Sequence, residues 1–299
     1  MTIMTASNPQ DAAKLIADET FHAIFADVTV PAQYEELEAA ISDSVGLFSD
    51  KINANAIHFL SPEPLEKVQF LVQSPLFGHY VVRDFHDAAK ELGQHYGRFV
   101  KATLQDRAFG LASLMKPGTK IQTVKLHKTI QKFEAVEAIK TYLMAAKFQI
   151  RMASVIANAV DELLMNAMFD APVDELGKST LSQMPRSTEF ELTGKHAVEM
   201  QVGFDGDYVG ITAIDLYGSL DKSRLLSHIS KIYRDEEYRV RTAVAGAGIG
   251  LATVFRAGGS FFFASEAQAR TEVTVLFKRT SNFREFKDQF KFISTQFYF

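Results

Sequence analysis

DELLMNAMFDAP, residues Asp161 to Pro172, places two polar side chains on a strongly apolar helical segment. Glu162 and Asn166 are four residues apart, so both lie on the same face of a helix. A polar side chain among apolar neighbours needs a partner when it is buried. The amide oxygen of Asn166 is a hard ligand that suits Mg²⁺, and the carboxylate of Glu162 is a candidate general base. This helix therefore predicts one half of a functional site.

AGAGIGLATVFRAGGS, residues Ala245 to Ser260, is a glycine-dense turn followed by an apolar helix start. Glycine permits positive φ and close backbone approach, and the N–H groups at a helix N-terminus bind phosphates. A Rossmann fingerprint would need glycine at Leu251, and a phosphate-loop motif ending at Gly177–Ser179 would need glycine at Pro172. Together with a cation ligand and a candidate base, this turn predicts an ATP-binding site.

Composition limits the classes of protein that the chain can represent. It has 299 residues, a net charge of -4 and no cysteine. The charge provides no basic field for nucleic acid or an anionic membrane, and the lack of cysteine excludes disulfides, thiolate metal ligands and cysteine nucleophiles. The start of the chain lacks a secretory signal, and no apolar run reaches the roughly 18 to 20 residues of a membrane span. We therefore expect a cytoplasmic protein without membrane insertion and without a nucleic-acid partner.

Residues 1–118 predict a small α/β domain because strand-like and helix-like segments alternate there. The predicted strands and helices are, in chain order, Phe21–Val28, Tyr34–Phe48, Ala56–Leu60, Pro64–Ser74, Gly78–Phe85 and His86–Leu104. This order resembles a response-regulator receiver domain, although Ser61 stands where the receiver's phosphoacceptor Asp is expected. The turn-rich, basic segment Met115–Lys120 is the predicted boundary. We expect a regulatory or interaction role for this first domain.

Residues 119–280 predict a second α/β domain. Its helices are expected at Phe133–Ile150, Arg151–Phe169 and Asp221–Arg234, and its strands at Ile121–Lys128, His196–Asp205, Tyr208–Gly218, Ser260–Glu266 and Thr271–Arg279. The polar segment Asp174–Glu189 is predicted to be a loop. Residues 281–299 alternate Phe with charged residues, a pattern that fits either an extra strand or a docking segment.

Four motifs within Ile121–Arg279 resemble, in order and spacing, the GHKL ATPase superfamily. Its members include histidine kinases, anti-sigma-factor serine kinases, type II topoisomerases, mismatch-repair ATPases and heat-shock chaperone ATPases. The first motif is Glu162-Leu-Leu-Met-Asn166, which matches the family's N box. The resemblance implies that Asn166 ligates Mg²⁺ and that Glu162 is a general base. Histidine kinases usually carry Asn at the position of Glu162, so this residue favours the anti-sigma kinase and ATPase branches.

The second motif is Asp215-Leu-Tyr-Gly218-Ser at the end of a predicted strand. In the family, an Asp at this position accepts a hydrogen bond from the adenine amino group, so the resemblance implies that Asp215 selects adenine. The family's box is DxGxG, and Tyr217 and Ser219 replace its two glycines here. We expect Gly218 to supply the turn instead.

The third motif, Gly246-Ala-Gly248-Ile-Gly250-Leu251, matches the family's GxGxGL box. The fourth is Thr271, where the family commonly carries a Gly-Thr pair, and Arg270 replaces the glycine. The resemblance implies a C-terminal α/β sandwich of the Bergerat type with Mg²⁺ on Asn166. The residues that it implies for binding ATP or ADP are Asp215, Gly218, Gly246, Gly248, Gly250, Leu251 and Thr271.

The resemblance implies a signalling protein with a histidine-kinase-like ATPase domain, which acts as a protein serine or histidine kinase or as an ATPase. The intact pair of Glu162 and Asn166 favours turnover. The altered box around Tyr217 favours the alternative, a nucleotide-gated interaction module with little or no turnover. In either case we expect a protein partner, and the sequence is compatible with a homodimer.

Overall fold

The structure, a computed structural model, describes residues 2–45, 52–65, 67–83, 89–105, 108–234, 259–288 and 295–298. The strands are β1 (Ile24–Asp27), β2 (Ile57–Ser61), β3 (His79–Val82), β4 (Ile121–Leu126), β5 (Val198–Phe204), β6 (Tyr208–Asp215), β7 (Ser260–Glu266), β8 (Arg270–Lys278) and β9 (Thr295–Tyr298). The α-helices are α1 (Pro9–Asp18), α2 (Pro31–Val45), α3 (Gln69–Val72), α4 (Ala89–Leu104), α5 (Leu111–Leu114), α6 (Gln131–Ala145), α7 (Ile150–Met165), α8 (Lys222–Arg234) and α9 (Phe283–Asp288).

Within these ranges, the strands form one sheet in the order β1-β2-β3-β9-β7-β8-β6-β5-β4. The first three strands pair in parallel, as expected where helices connect successive strands. The five strands from β7 to β4 pair in an antiparallel manner. Strand β9 lies between the two groups, antiparallel to β3 and parallel to β7. The protein is therefore mixed α/β, and a strand from its C-terminal segment joins the parallel and antiparallel parts.

Strand β7 is buried on both faces because its side chains alternate between two cores. Phe261 and Phe263 pack into a cluster that includes residues of α6 and α7. Phe262 packs into a second cluster with Phe99 from α4 and Leu111 from α5. This alternation is the period-2 pattern of a strand, and it explains why the run Phe261–Ala264 is apolar without interruption. Helices thus cover both faces of the antiparallel part of the sheet.

The elements predicted from periodicity are present, with shifts of a few residues at most of their ends. The predicted helix over Pro64–Ser74 is wrong in extent, because helix α3 begins only at Gln69. The preceding residues form single turns, in which the amide of Val68 donates to the carbonyl of Leu65. Leu65 and Val68 are both buried, so this local geometry favours their burial over continuation of the helix. None of the helices in the described ranges has the length and apolar character needed to cross a membrane.

Candidate functional site

Helix α7 presents Glu162 and Asn166 on the face that is turned away from its apolar contacts. The apolar face is buried, with Leu163 and Leu164 in the main core, whereas Glu162 and Asn166 are half-buried. The helix changes at Asn166 to a π-helical segment, Asn166–Asp170, in which the amide of Ala171 donates to the carbonyl of Asn166 at 2.9 Å. Segments of π-helix are rare, and those that occur within α-helices often lie at functional sites. The helix predicted over Arg151–Phe169 is present, and its last turn, from Asn166 onward, is π-helical.

Arg186 contacts both ends of this π segment. One guanidinium nitrogen donates to the carbonyl of Met165 at 3.1 Å, and the other donates to both carboxylate oxygens of Asp170 at 2.9 and 2.8 Å. The guanidinium also lies 5.5 Å from the centre of the Phe169 ring. Contacts from a charged guanidinium to a carboxylate are strong, and the planar group directs its two nitrogens to two different partners at once. The loop that carries Arg186 thus has a direct role in holding the segment that begins at Asn166.

The environment of Glu162 raises the pKa of its carboxyl group. Burial is the main cause, and the neighbouring charge of Asp161 adds to it, whereas Arg186 and Lys132 act in the opposite direction. Lys132 is itself buried, and its ammonium group lies 2.7 Å from a carboxylate oxygen of Asp161. A raised pKa brings a carboxylate closer to the range in which a general base works well. The charges around Glu162 are therefore compatible with proton abstraction.

Asp215 lies at the end of β6 and is only 6% exposed. Burial raises the pKa of its carboxyl group to about 6, although the amides of Tyr217 and Gly218 and the hydroxyl of Thr271 oppose the rise. The amide of Tyr217 donates to one carboxylate oxygen at 2.9 Å. Within the described residues, no cation forms an ion pair with this carboxylate. A buried carboxylate with a perturbed pKa is a candidate functional residue.

Thr271 lies directly opposite Asp215 in the pairing of β6 with β8, so the two side chains share one face of the sheet. Thr271 is 3% exposed, and its hydroxyl does not meet hydrogen-bond geometry with any described group, Asp215 included. Its proximity still lowers the pKa of the Asp215 carboxyl group. A buried hydroxyl with unused hydrogen-bonding capacity is unusual in a folded protein. The pair therefore offers an acceptor and a hydroxyl to the same ligand.

Tyr217 and Arg270, which replace glycines of the family pattern, direct their side chains to specific partners. The hydroxyl of Tyr217 is 2.8 Å from Nδ1 of His196, and Lys195 lies 5.2 Å from its ring centre. Arg270 stacks at 3.9 Å on Phe109, on the face of β8 opposite to Thr271. The larger side chains of Tyr217 and Arg270 are thus each held by contacts with neighbouring residues.

Ser219 joins the two halves of the site. Its hydroxyl donates at 2.7 Å to the carbonyl of Ala171, the residue that directly follows the π segment. The loop after Asp215 therefore contacts the chain that continues from Asn166. Two motifs that are about fifty residues apart in the sequence meet at this hydrogen bond.

Gly218 holds the loop after Asp215 in a conformation that only glycine adopts without strain. Its φ is +56°, and an added Cβ would lie 1.9 Å from the carbonyl oxygen of Glu266. We expect Gly218→Ala to lower the free energy of unfolding by roughly 3 kcal/mol or more, since backbone strain and overpacking add. Gly206 has φ +98° but open space around it, so Gly206→Ala is the matched control and is expected to cost only about 1 kcal/mol. Urea denaturation of both variants measures this difference, and equal losses would contradict the close contact.

The predicted phosphate-binding residues Gly246, Gly248, Gly250 and Leu251 lie outside the described residues. Among the other predicted residues, Glu162 lies on α7 with Asn166 at its end, and Asp215 faces Thr271 across β6 and β8, with Gly218 in the loop after β6. The hydrogen bond from Ser219 to Ala171 links these two groups. The sequence interpretation does not single out Lys132, Asp170 or Arg186. Asp170 stands four residues after Asn166, a spacing that could have drawn attention to it. Arg186 lies in a segment predicted as a loop, where no local pattern marks it.

A scan against protein-family models finds no family that matches this chain, and a search of curated proteins finds no relative that matches it.

Proposed function

We propose that the chain is an ATP-binding signalling protein whose residues 119–280 form a histidine-kinase-like ATPase domain of the GHKL type, with the Bergerat-type sandwich. One observation carries the proposal. The hydrogen bond from Ser219 to Ala171 brings the loop that follows Asp215 against the turn that begins at Asn166. This contact supports the proposal that a candidate adenine acceptor and a candidate metal ligand belong to one site.

The side chains present fit an adenine nucleotide. Adenine offers an amino group as donor and ring nitrogens as acceptors, which match the carboxylate of Asp215 and the unfilled hydroxyl of Thr271. Asn166 provides an oxygen of the type that Mg²⁺ prefers. When bound, Mg·ATP would supply the transferable phosphoryl group and the positive charge of the cation.

We assign the following roles to the chain's own residues. Asp215, ionised above about pH 6, accepts the donor of the base and selects adenine. Glu162 takes up the proton of the attacking hydroxyl or water, since it lies one helical turn from Asn166 on the same face. The proposed activity is that of a protein kinase or an ATPase of the anti-sigma-factor type, acting with a protein partner.

A second candidate function is a nucleotide-gated interaction module with little or no turnover. It is favoured by the buried ring of Tyr217, which stands where the family has glycine and is fixed by His196. Strand β9 also favours it, since this strand pairs with β3 in the first part of the sheet and with β7 in the second. A change at the nucleotide site would then reach the N-terminal part through continuous strand pairing.

Replacement of Asn166 by Ala tests the metal ligand. We expect Asn166→Ala to remove most of the gain in ATP affinity that Mg²⁺ gives, while the affinity measured without Mg²⁺ stays near that of the wild type, because only the metal contact is lost. Asn158→Ala is the matched control, since Asn158 is exposed on the same helix. Calorimetric titration with and without Mg²⁺ gives both affinities. Equal loss in the two conditions would mean that Asn166 supports the fold and does not bind the metal.

A further inference from the structure

We propose that Arg186 is a positioning residue, which fixes the end of α7 and the π segment Asn166–Asp170 and so holds the side chain of Asn166 in the proposed site. This inference rests on the proposed nucleotide site. Arg186 itself belongs to the connection between α7 and β5, and no motif assigns it a role.

The contacts of Arg186 bracket Asn166. The carbonyl of Met165 directly precedes Asn166, and the carboxylate of Asp170 ends the π segment; one guanidinium group binds both. The amide of Asn166 still donates to the carbonyl of Glu162, so Asn166 stays one helical turn after Glu162. The π turn changes the path of the residues that follow, up to Asp170. Isolated helices do not favour this geometry, and it persists where the surrounding structure determines it. The planar guanidinium group holds the segment in this geometry, because its contacts with Met165 and Asp170 fix the distance between the two ends of the segment.

Arg186 also contributes to the electrostatic environment of Glu162. Its side chain is 29% exposed and that of Asp170 is 36% exposed, so solvent screens this pair less than it screens an ion pair at the open surface. Among the groups around Glu162, Arg186 lowers the pKa of the carboxyl group, whereas Asp170 raises it. The same ion pair therefore shapes the segment that carries Asn166 and balances the charges beside Glu162.

The connection between α7 and β5 offers a matched control. Lys128 and Glu191 form an ion pair at 3.1 Å, with side chains 58% and 62% exposed. This pair lies near the same loop but does not contact the π segment. Its removal by Lys128→Gln tests whether any loss of charge in this region affects the site.

The experiment measures the affinity for ATP with and without Mg²⁺ in the full chain, together with thermal unfolding. Arg186→Lys keeps the charge but not the planar pair of nitrogens that contacts Met165 and Asp170 at the same time. It is expected to reduce the Mg²⁺-dependent gain in affinity about tenfold, the usual effect of losing a group that orients a metal ligand. Affinity without Mg²⁺ is expected to stay unchanged. Asp170→Asn should give a similar loss, and the double variant should lose no more than either single one, since both break the same contact.

Four results would overturn the inference. An Arg186→Lys variant with the wild-type Mg²⁺-dependent gain would show that the contact does not position Asn166. Equal loss of affinity with and without Mg²⁺, or a loss of the same size in Lys128→Gln, would assign Arg186 a structural or general electrostatic role. A wild-type protein that binds no ATP would remove the proposed function and this inference together, whereas the other three results leave the proposed function intact.

Discussion

Replacement of Glu162 by Gln is expected to leave ATP binding nearly intact and to slow phosphate release or transfer by about 100-fold or more. Gln keeps the shape and hydrogen-bonding capacity of Glu but cannot accept the proton of the attacking group. The measurement is incubation with labelled ATP and Mg²⁺, scoring free phosphate, self-labelling and labelling of copurified proteins. Burial and Asp161 raise the pKa of Glu162, so we expect activity to fall on acidification at a pH above the ordinary range of Glu.

Glu137→Gln is the control for this prediction, because Glu137 is an exposed carboxylate on the neighbouring helix α6. If turnover survives in Glu162→Gln, the proposed enzymatic activity stands, but its general base is another group. Tight ATP binding by the wild type without any turnover, even with candidate partners present, would favour the nucleotide-gated module. Loss of ATP binding in the variant would mean that the carboxylate supports the architecture of the site.

Replacement of Asp215 by Asn is expected to have two opposite effects. ATP binding should weaken by about 1–3 kcal/mol, because a charge-assisted hydrogen bond to the base is replaced by a weaker one. The free protein should become more stable at neutral pH by up to about 3 kcal/mol, since the pKa rises by about two units on folding, from 3.8 to about 6. A residue retained only for stability would not show this combination.

The sign of the pH dependence follows from the same pKa. The folded protein holds the proton of Asp215 more tightly than the unfolded chain, so the contribution of this group lowers stability as the pH rises from about 4 to about 6. Asp215→Asn should remove this decline, as measured by urea denaturation across that range. Asp221→Asn is the control, because Asp221 caps α8, Asn is an equally good cap, and hydrogen bonds from Ser223 and Arg224 lower the pKa of Asp221. This group therefore adds stability as the pH rises, the opposite sign to Asp215. A wild-type pH profile that Asp215→Asn leaves unchanged would contradict the assigned pKa.

The elements of the fold could be predicted from the sequence where one local pattern determines them. β6 and β7 have apolar runs bounded by turn residues, and α7 has a continuous apolar face, so each was expected near its actual position. The placement of β9 could not be predicted. Its parallel pairing with β7 joins segments that are distant in sequence, and only the tertiary structure decides between an extra strand and a docking segment.

The candidate site also combines features that a local sequence pattern predicts with features that depend on tertiary contacts. The spacing of Glu162 and Asn166 is a local feature and predicts their common face. The π segment is not local, because it is held by Arg186, which comes from a loop without any recognisable pattern. The replacements Tyr217 and Arg270 could be seen as departures from a motif, but their accommodation depends on His196 and Phe109. Such contacts have no signature in a single sequence.

We propose that the chain binds an adenine nucleotide through Asp215. The most direct test is calorimetric titration of the wild-type protein with ATP and with GTP, in the presence of Mg²⁺ and at neutral pH. GTP presents a carbonyl oxygen where ATP presents an amino group, and this oxygen would face the ionised carboxylate of Asp215. We expect ATP to bind at least about tenfold more tightly than GTP, since a buried polar group would be left without its partner. Failure to bind ATP, or equal affinity for ATP and GTP, would contradict the account.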